Sequence, residues 1–379
     1  MSERRFALVA GGGTAGHLQP ALAVADALVA RGHRPSTIEF VGSRRGQDRH
    51  VLAGRPYPFT LLPGRGVQRS LTPRALARNA GALAGIVWAT VRAVVVVASR
   101  RPSVVVSVGG YAAVPASVAA VLLRVPLVLV NVDAVPGAAN RLLGRFARAA
   151  AVGWEGTPLP RGVVTGTPVR PAILGVDRSA DGRVAARRAL GLPASGAVVA
   201  AFGGSLGARS INQAVVSLAT RWEGRDGPCI YHVVGRRDFA ASPPHPRPGY
   251  LPVAYEERME LVYAAADVVV CRAGAMTVAE LAVAGVPAVL VPLPGAPGDH
   301  QTANARVLER AGAAVVVPDR SCTAEELDRI LAELIGDPGR LAAMGAAARS
   351  VGRPDAADAG AQVVERFARP DRTHGVAAA

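Results

Sequence analysis

The chain of 379 residues contains no lysine, and all 43 of its basic residues are arginine. A codon bias toward arginine and alanine accounts for the choice of side chain, but the charge has consequences of its own. A formal net charge of +15 favours anionic partners, whether nucleic acid, phosphorylated substrates or an acidic lipid surface. Cysteine is scarce: Cys229, Cys271 and Cys322 stand far apart, with no CxxC pair and no Cys/His cluster. That suggests neither a disulfide framework nor a zinc site, and fits a reducing cytoplasm. Aromatic residues make up 4%, so the core has to be built from Ala, Val and Leu. No uninterrupted membrane span is present, because the longest apolar stretch, Ala80 to Ser99, is broken by Arg92 and carries Gly81 and Gly85. Met1 to Arg5 leads straight into a strand-like run without the apolar region of a secretory signal, so none is expected. Acidic residues are missing from Arg49 through Val132, a span that holds ten arginines.

Half of the residues are hydrophobic and 19% are charged, the balance of a globular protein. The length suits two domains rather than one core. Phe6 to Ala10 reads as a strand, Gly11-Gly12-Gly13-Thr14-Ala15-Gly16-His17 as a glycine loop, and Pro20 to Ala30 as an amphipathic helix. Glycines let the backbone approach a ligand, and the first amides of the helix point into that space. Strands follow at Thr37 to Val41, Tyr57 to Leu62, Ser103 to Val108, Val125 to Val132, Ala149 to Val152 and Val163 to Val164. Helices are expected at Pro115 to Leu123 and Ala138 to Ala147. Gly109-Gly110-Tyr111 makes a second glycine turn.

The grammar then restarts with Ala197 to Phe202 as strand, Gly203 to Arg209 as loop, and a helix containing Asn212. Alternating strands and helices predict an α/β fold of two Rossmann-like, doubly wound domains facing a cleft. The boundaries are placed at 1–171 for the first domain and 172–353 for the second, the boundary between them falling in the polar stretch Pro171 to Ser195. Residues 354–379 are expected to be a C-terminal helix and tail. Between Pro63 and Arg101, Arg65, Arg69, Arg74, Arg78, Arg92, Arg100 and Arg101 surround an apolar run that includes Val87 and Trp88. Two readings stay open there: a buried helix with solvated ends, or a patch at 65–101 whose basic rim docks on an anionic membrane. Nucleic acid is not expected, since the run lacks interleaved aromatics.

Arg272-Ala273-Gly274-Ala275-Met276-Thr277-Val278-Ala279-Glu280 follows a strand and opens a helix, so the amides of Ala275, Met276 and Thr277 suit a diphosphate. Glu280, one turn in, can bridge two ribose hydroxyls, or simply complement the helix dipole. His300-Gln301 with Asn304 places Gln301 and Asn304 on one helix face, where amides can read sugar hydroxyls.

These segments, together with Gly166-Thr167-Pro168-Val169-Arg170, resemble the MurG family of peptidoglycan glycosyltransferases in order, in spacing and over nearly the whole chain. The resemblance implies an inverting GT-B type transferase that moves N-acetylglucosamine from UDP-N-acetylglucosamine to undecaprenyl-diphospho-muramoylpentapeptide, peripheral on the cytoplasmic side of the cell membrane, without an essential cofactor or metal. It implies Thr14, Ala15 and Gly16 on the diphosphate side, Arg170 and Ser205 on the donor, and Ala275 to Glu280 around the diphosphate and ribose. Gln301 would meet the sugar, and uracil would contact main chain at Glu256. Tyr111, Asp133 and Asn140 would belong to the acceptor side, and His17 is the candidate base. A His17 that merely orients its loop stays open.

One departure bears on the acceptor. Where family members commonly carry His-Glu-Gln-Asn, this chain has Asn131-Val132-Asp133-Ala134, and Ala15 stands where Gly is usual. On the residues alone, a transferase turned to another lipid-phosphosugar or secondary-metabolite acceptor, and a non-catalytic UDP-sugar binder, also stay open.

Overall fold

The structure is a computed structural model, and it describes residues 4–12, 15–44, 48–63, 73–204, 207–224, 227–241 and 248–370. The side chains of residues 15 and 73–84 are not among those described. The chain forms two compact units. One comprises residues 1–168 and 355–379, the other residues 169–354.

The first unit alternates β1 (Ala7–Ala10), α1 (Ala15–Ala30), β2 (Ile38–Ser43), α2 (Asp48–Leu52), β3 (Phe59–Leu62) and α3 (Pro73–Arg100). It continues with β4 (Val104–Ser107), α4 (Val114–Leu122), β5 (Leu127–Asn131), α5 (Ala138–Leu143), β6 (Ala149–Val152) and β7 (Gly162–Val164). The described strands pair in parallel in the order β3-β2-β1-β4-β5-β6-β7. Such a sheet needs cover on both faces, and successive residues of β1 supply it. Ala7 and Val9 pack with α1, whereas Leu8 and Ala10 pack with Ala89, Ala93 and Val97 of α3 and with α4.

The second unit repeats the scheme with α6 (Pro171–Leu174), α7 (Ala180–Ala189), β8 (Val198–Phe202), α8 (Arg209–Arg221), β9 (Cys229–Val233), α9 (Arg236–Ala241) and β10 (Tyr250–Val253). Then come α10 (Met259–Ala265), β11 (Val268–Cys271), α11 (Ala275–Ala284), β12 (Ala288–Leu290), α12 (His300–Arg310), β13 (Ala314–Val316), α13 (Ala324–Ile335) and α14 (Pro338–Val351). Its described strands run β10-β9-β8-β11-β12-β13. In both sheets the order reverses beside the first strand, at β1/β4 and at β8/β11, which is where such sheets bind ligands.

Three differences from the sequence reading have physical reasons. The polar stretch in which the boundary was expected contains α7, which buries Ala186 and Arg187 and is held by Arg183 and Arg187 on Asp267 and by Arg187 on the backbone oxygen of Ala265. The last helix, α15 (Ala356–Phe367), is not a separate piece but packs into the first unit, burying Ala361 and Val364 beside α1. Its edge is tied down by Arg31, which pairs with Asp358 and Glu365, and by His33 on Glu365. Finally, α3 sorts its side chains by face. Ala89, Ala93 and Val97 turn inward, while Val87, Trp88, Val91 and Val95 stand exposed, Trp88 at 57%. Among the described residues no helix is long and apolar enough to cross a membrane.

Candidate active site

The first unit gathers its candidates at the carboxyl ends of β1, β2 and β4. Gly12 has φ +141°, and a β-carbon on it would clash with the carboxylate of Asp48. Asp48 is 1% exposed and accepts the amide of Ser43 at 2.8 Å. Ser43 Oγ in turn accepts the hydroxyl of Tyr111 at 3.1 Å. His17, half-buried in the first turn of α1, lies against the second glycine turn: a β-carbon on Gly110 would stand 3.4 Å from its Cε1 and Nδ1. The structure therefore brings His17 and Tyr111 to one place. Gly16 is exposed in the same turn of α1. Thr14 lies outside the described residues, as does the side chain of Ala15.

Asn140 is a different matter. It is buried beneath Gly109, and its amide nitrogen donates to Asn131 Oδ1 at 3.0 Å. Asn131 donates to the carbonyl of Asp133 at 2.6 Å, and Thr167 Oγ1 to the carbonyl of Val132 at 3.2 Å. The departing segment is thus a bonded turn in which Asn140 holds the Asn131 side chain, while Asn131 and Thr167 hold the backbone. Val132 is buried, and Asp133 is partly exposed.

In the second unit a cavity of about 650 Å³ opens at the β8/β11 reversal. Gly203, Gly204 and Gly207 form one wall; Gly274 and Thr277 form another, with Gln301, Arg209 and Arg237 around them. Gly274 caps α11 in an extended conformation, so the amides of Ala275, Met276 and Thr277 have no carbonyl one turn back to bond and present positive potential. The side chains of Val278 and Ala279 turn into the core. Arg272 crosses beneath, donating to the carbonyls of Val291 and Pro292 at 3.1 and 3.2 Å, to Asp319 at 2.6 Å and to Ser210 Oγ at 2.9 Å. Burial works to raise the Asp319 carboxyl, but hydrogen bonds from Ser210 and Arg272 outweigh it and hold the group below its usual range.

Several expected contacts are already engaged. Glu280, 6% exposed, accepts Arg170 Nε at 3.1 Å on one oxygen and the hydroxyl of Tyr263 at 2.9 Å on the other. Both Glu280, expected on the ribose, and Arg170, expected on the donor, are thereby partners of each other. Burial pushes the Tyr263 hydroxyl far above its ordinary value, and the Glu280 charge adds to that. Gln301 accepts the amide of Leu293 at 2.9 Å, which commits its oxygen and turns the side chain along the cavity. Asn304, expected to share that face, is instead fully buried and donates to the carbonyl of Ala273 at 3.3 Å. Glu256 keeps its side chain on Tyr231 and Arg258, at 2.8 and 2.9 Å, which leaves main chain as the surface it can offer. Ser205 lies outside the described residues. The sequence reading did not single out Asp48, Ser43, Ser210, Arg237 or Asp319 as site residues. Each reaches its place through the topology rather than through a local motif.

Residues 7–152 match the glycosyltransferase family 28 N-terminal domain, and residues 198–359 match the corresponding C-terminal domain. A UDP-N-acetylglucosamine–N-acetylmuramyl-(pentapeptide) pyrophosphoryl-undecaprenol N-acetylglucosamine transferase of Nocardioides sp. is 42% identical over 94% of this chain and 96% of its own length. The transferase of the same name from Acidothermus cellulolyticus is 39% identical over 96% and 98%. The crystal structure of MurG from Acinetobacter baumannii superimposes with a TM-score of 0.74 at 30% identity, covering 96% of this chain and 99% of that one. The glycosyltransferase of kitacinnamycin, at 18% identity and a TM-score of 0.69 over 97% of this chain and 100% of that one, shares the fold. Matched over both halves and nearly end to end, the chain belongs to the MurG family of N-acetylglucosamine transferases within glycosyltransferase family 28.

Proposed function

We propose that the chain transfers N-acetylglucosamine from UDP-N-acetylglucosamine to undecaprenyl-diphospho-muramoylpentapeptide, converting lipid I to lipid II in peptidoglycan synthesis. The observation that carries the reading is the second unit's cavity, with two glycine turns and the bare amide end of α11 at the β8/β11 reversal. The donor's diphosphate sits over the amides of Ala275, Met276 and Thr277. Fixed positive potential there stabilises the leaving group as its charge develops. Gln301 meets the sugar, and uracil rests on main chain near Glu256. His17 removes the proton from the acceptor hydroxyl as it attacks the anomeric carbon from the face opposite the diphosphate, giving inversion. A neutral imidazole near pH 7 suits that step.

The lipid acceptor places the enzyme on the cytoplasmic face of the cell membrane as a peripheral protein. Val87, Trp88, Val91 and Val95 supply the apolar contact and Arg92 a basic neighbour, whereas Arg100, counted in the rim by sequence, is paired with Glu39. Arg65 and Arg69 lie outside the described residues. A second reading, transfer to a different acceptor, is favoured by one observation. Val132 stands buried at the position where the family resemblance implies a Glu, and it offers no carboxylate there.

The test is purified protein with radiolabelled UDP-N-acetylglucosamine and a short-chain lipid I analogue. Label transfer to the analogue is the expected result. Donor hydrolysis, or transfer only to other acceptors, supports the second reading. Tight donor binding without turnover would overturn both.

A further inference from the structure

The glycine loop of the second unit rests on a chain of buried hydrogen bonds that the proposed reaction does not use. His232, on β9, is 0% exposed. Its Nε2 lies 3.0 Å from Asn212 Oδ1, and its Nδ1 lies 2.9 Å from the hydroxyl of Tyr250. The amide nitrogen of Asn212 has two hydrogens, and both are used: it donates to the carbonyl of Val234 and to Asp238 Oδ2, each at 2.9 Å. Only its oxygen remains for His232, so Nε2 carries the proton and Nδ1 accepts from Tyr250. Burial lowers the pKa of His232 to about 4 and keeps the ring neutral. Donors therefore run in one direction, from Tyr250 through His232 and Asn212 to Asp238.

The far end of that chain touches the cavity twice. Asp238 Oδ1 accepts Arg237 Nε at 2.7 Å, and Arg237 stands on the cavity wall. Gly207, at φ +86°, lies directly over the same acceptors: a β-carbon there would clash with the carbonyl of Val234 and stand 2.7 Å from Asp238 Oδ2. The loop's height is set by atoms that Asn212 holds, and Asn212 is oriented by His232.

We propose that His232 is a positioning residue for donor binding, acting through Asn212 and Asp238 to seat the glycine loop and to aim Arg237 at the negative charge of the donor. It touches no ligand itself. The inference rests on the proposed donor site, and it adds Arg237 as a donor contact.

The experiment uses the full chain, with UDP binding by calorimetry and separate KM and kcat values for UDP-N-acetylglucosamine. His232→Leu and Asp238→Asn are expected to weaken UDP binding and raise the donor KM about tenfold, with kcat and the acceptor KM within about threefold of wild type. His232→Gln, whose amide can replace the Nε2 hydrogen, should return the donor KM to within about threefold. A folded His232→Leu with wild-type UDP affinity overturns the proposal, as does a Gln variant no better than Leu. Should His232→Leu fail to fold, Asp238→Asn decides, since its partly exposed carboxylate tolerates replacement; unchanged UDP affinity there overturns the proposal. No UDP binding by the wild-type chain would remove the donor site and this inference together, whereas normal wild-type binding with indifferent variants removes the inference alone.

Discussion

An imidazole can act as a base only if its lone pair reaches the proton it is to take, and His17 is constrained on the side where reach matters. The first turn of α1 fixes its backbone, and Gly110 lies against its ring, where a β-carbon would come into van der Waals contact. We expect His17→Ala to lower turnover about 100-fold or more with UDP affinity unchanged, the scale of a lost general base. Single-turnover rates and calorimetry check it; unchanged turnover would leave His17 as a loop residue. Glu280 makes a second case. Its carboxylate joins Arg170 and Tyr263 through separate oxygens, so Glu280→Gln should lower stability by about 1–3 kcal/mol, because the amide has one accepting oxygen and sets its NH2 donor against the second partner. A thermal melt reads that cost. If the carboxylate also takes the ribose, UDP affinity falls with it. Side-chain direction is what the sequence did not reveal at this scale. The i, i+3 spacing of Gln301 and Asn304 is the same whether the pair faces a cavity or straddles its edge, and only packing against Ala273 shows that Asn304 goes inward.

At the scale of elements, short apolar runs ending in glycine turns were legible because parallel strands are buried on both faces and their ligand loops need backbone freedom. α7 was not legible, since its apolar side is built from small alanines and its hold on the unit comes largely from arginines on Asp267, which no local pattern announces. Neither was the junction of α8 with the segments that follow β11 and β13, made by Ser210, Arg272 and Asp319, whose members stand 62 and 47 residues apart. That junction carries a pH signature. Asp319 has a folded pKa below its unfolded value, so it contributes stability that is fully present above the unfolded carboxylate value, about 3.9, and is lost as pH falls through the folded one. Asp319→Asn should therefore melt lower than wild type at pH 7, and the gap should narrow below about pH 4. A constant gap across that range would assign the loss to packing instead. The exposed stripe of α3 is a separate element with its own test. Trp88→Ser with Val95→Ser should reduce sedimentation with vesicles containing anionic lipid and leave stability nearly unchanged, since surface substitutions usually shift it within about 0.5 kcal/mol. Binding that ignores both substitutions would place the membrane contact elsewhere.

Across the whole molecule, each unit has its own core, and the sequence order of the chain does not follow them. The first unit closes only when α15 returns to α1, a connection over more than 300 residues that no local pattern announces. Buried Val363 and Val364 alone are each worth about 1.5–3 kcal/mol of burial, to be set against the 5–15 kcal/mol that typically hold a domain. Removing residues 355–379 also exposes the inner side of α1 and strips Arg31 and His33 of their carboxylate partners. Calorimetry of the truncated chain should then show the first unit's transition lowered or lost, while the second unit, residues 169–354, melts as before. UDP tells the two apart. A ligand at 100 times its Kd stabilises the unit it binds by about 2.7 kcal/mol, so UDP should raise the surviving transition and leave the weakened one alone. If truncation lowers both transitions equally, the second unit's stability depends on α15 as well; if UDP raises the transition that truncation removes, the donor is not held by the second unit alone, and the division of labour between the two sheets has to be redrawn.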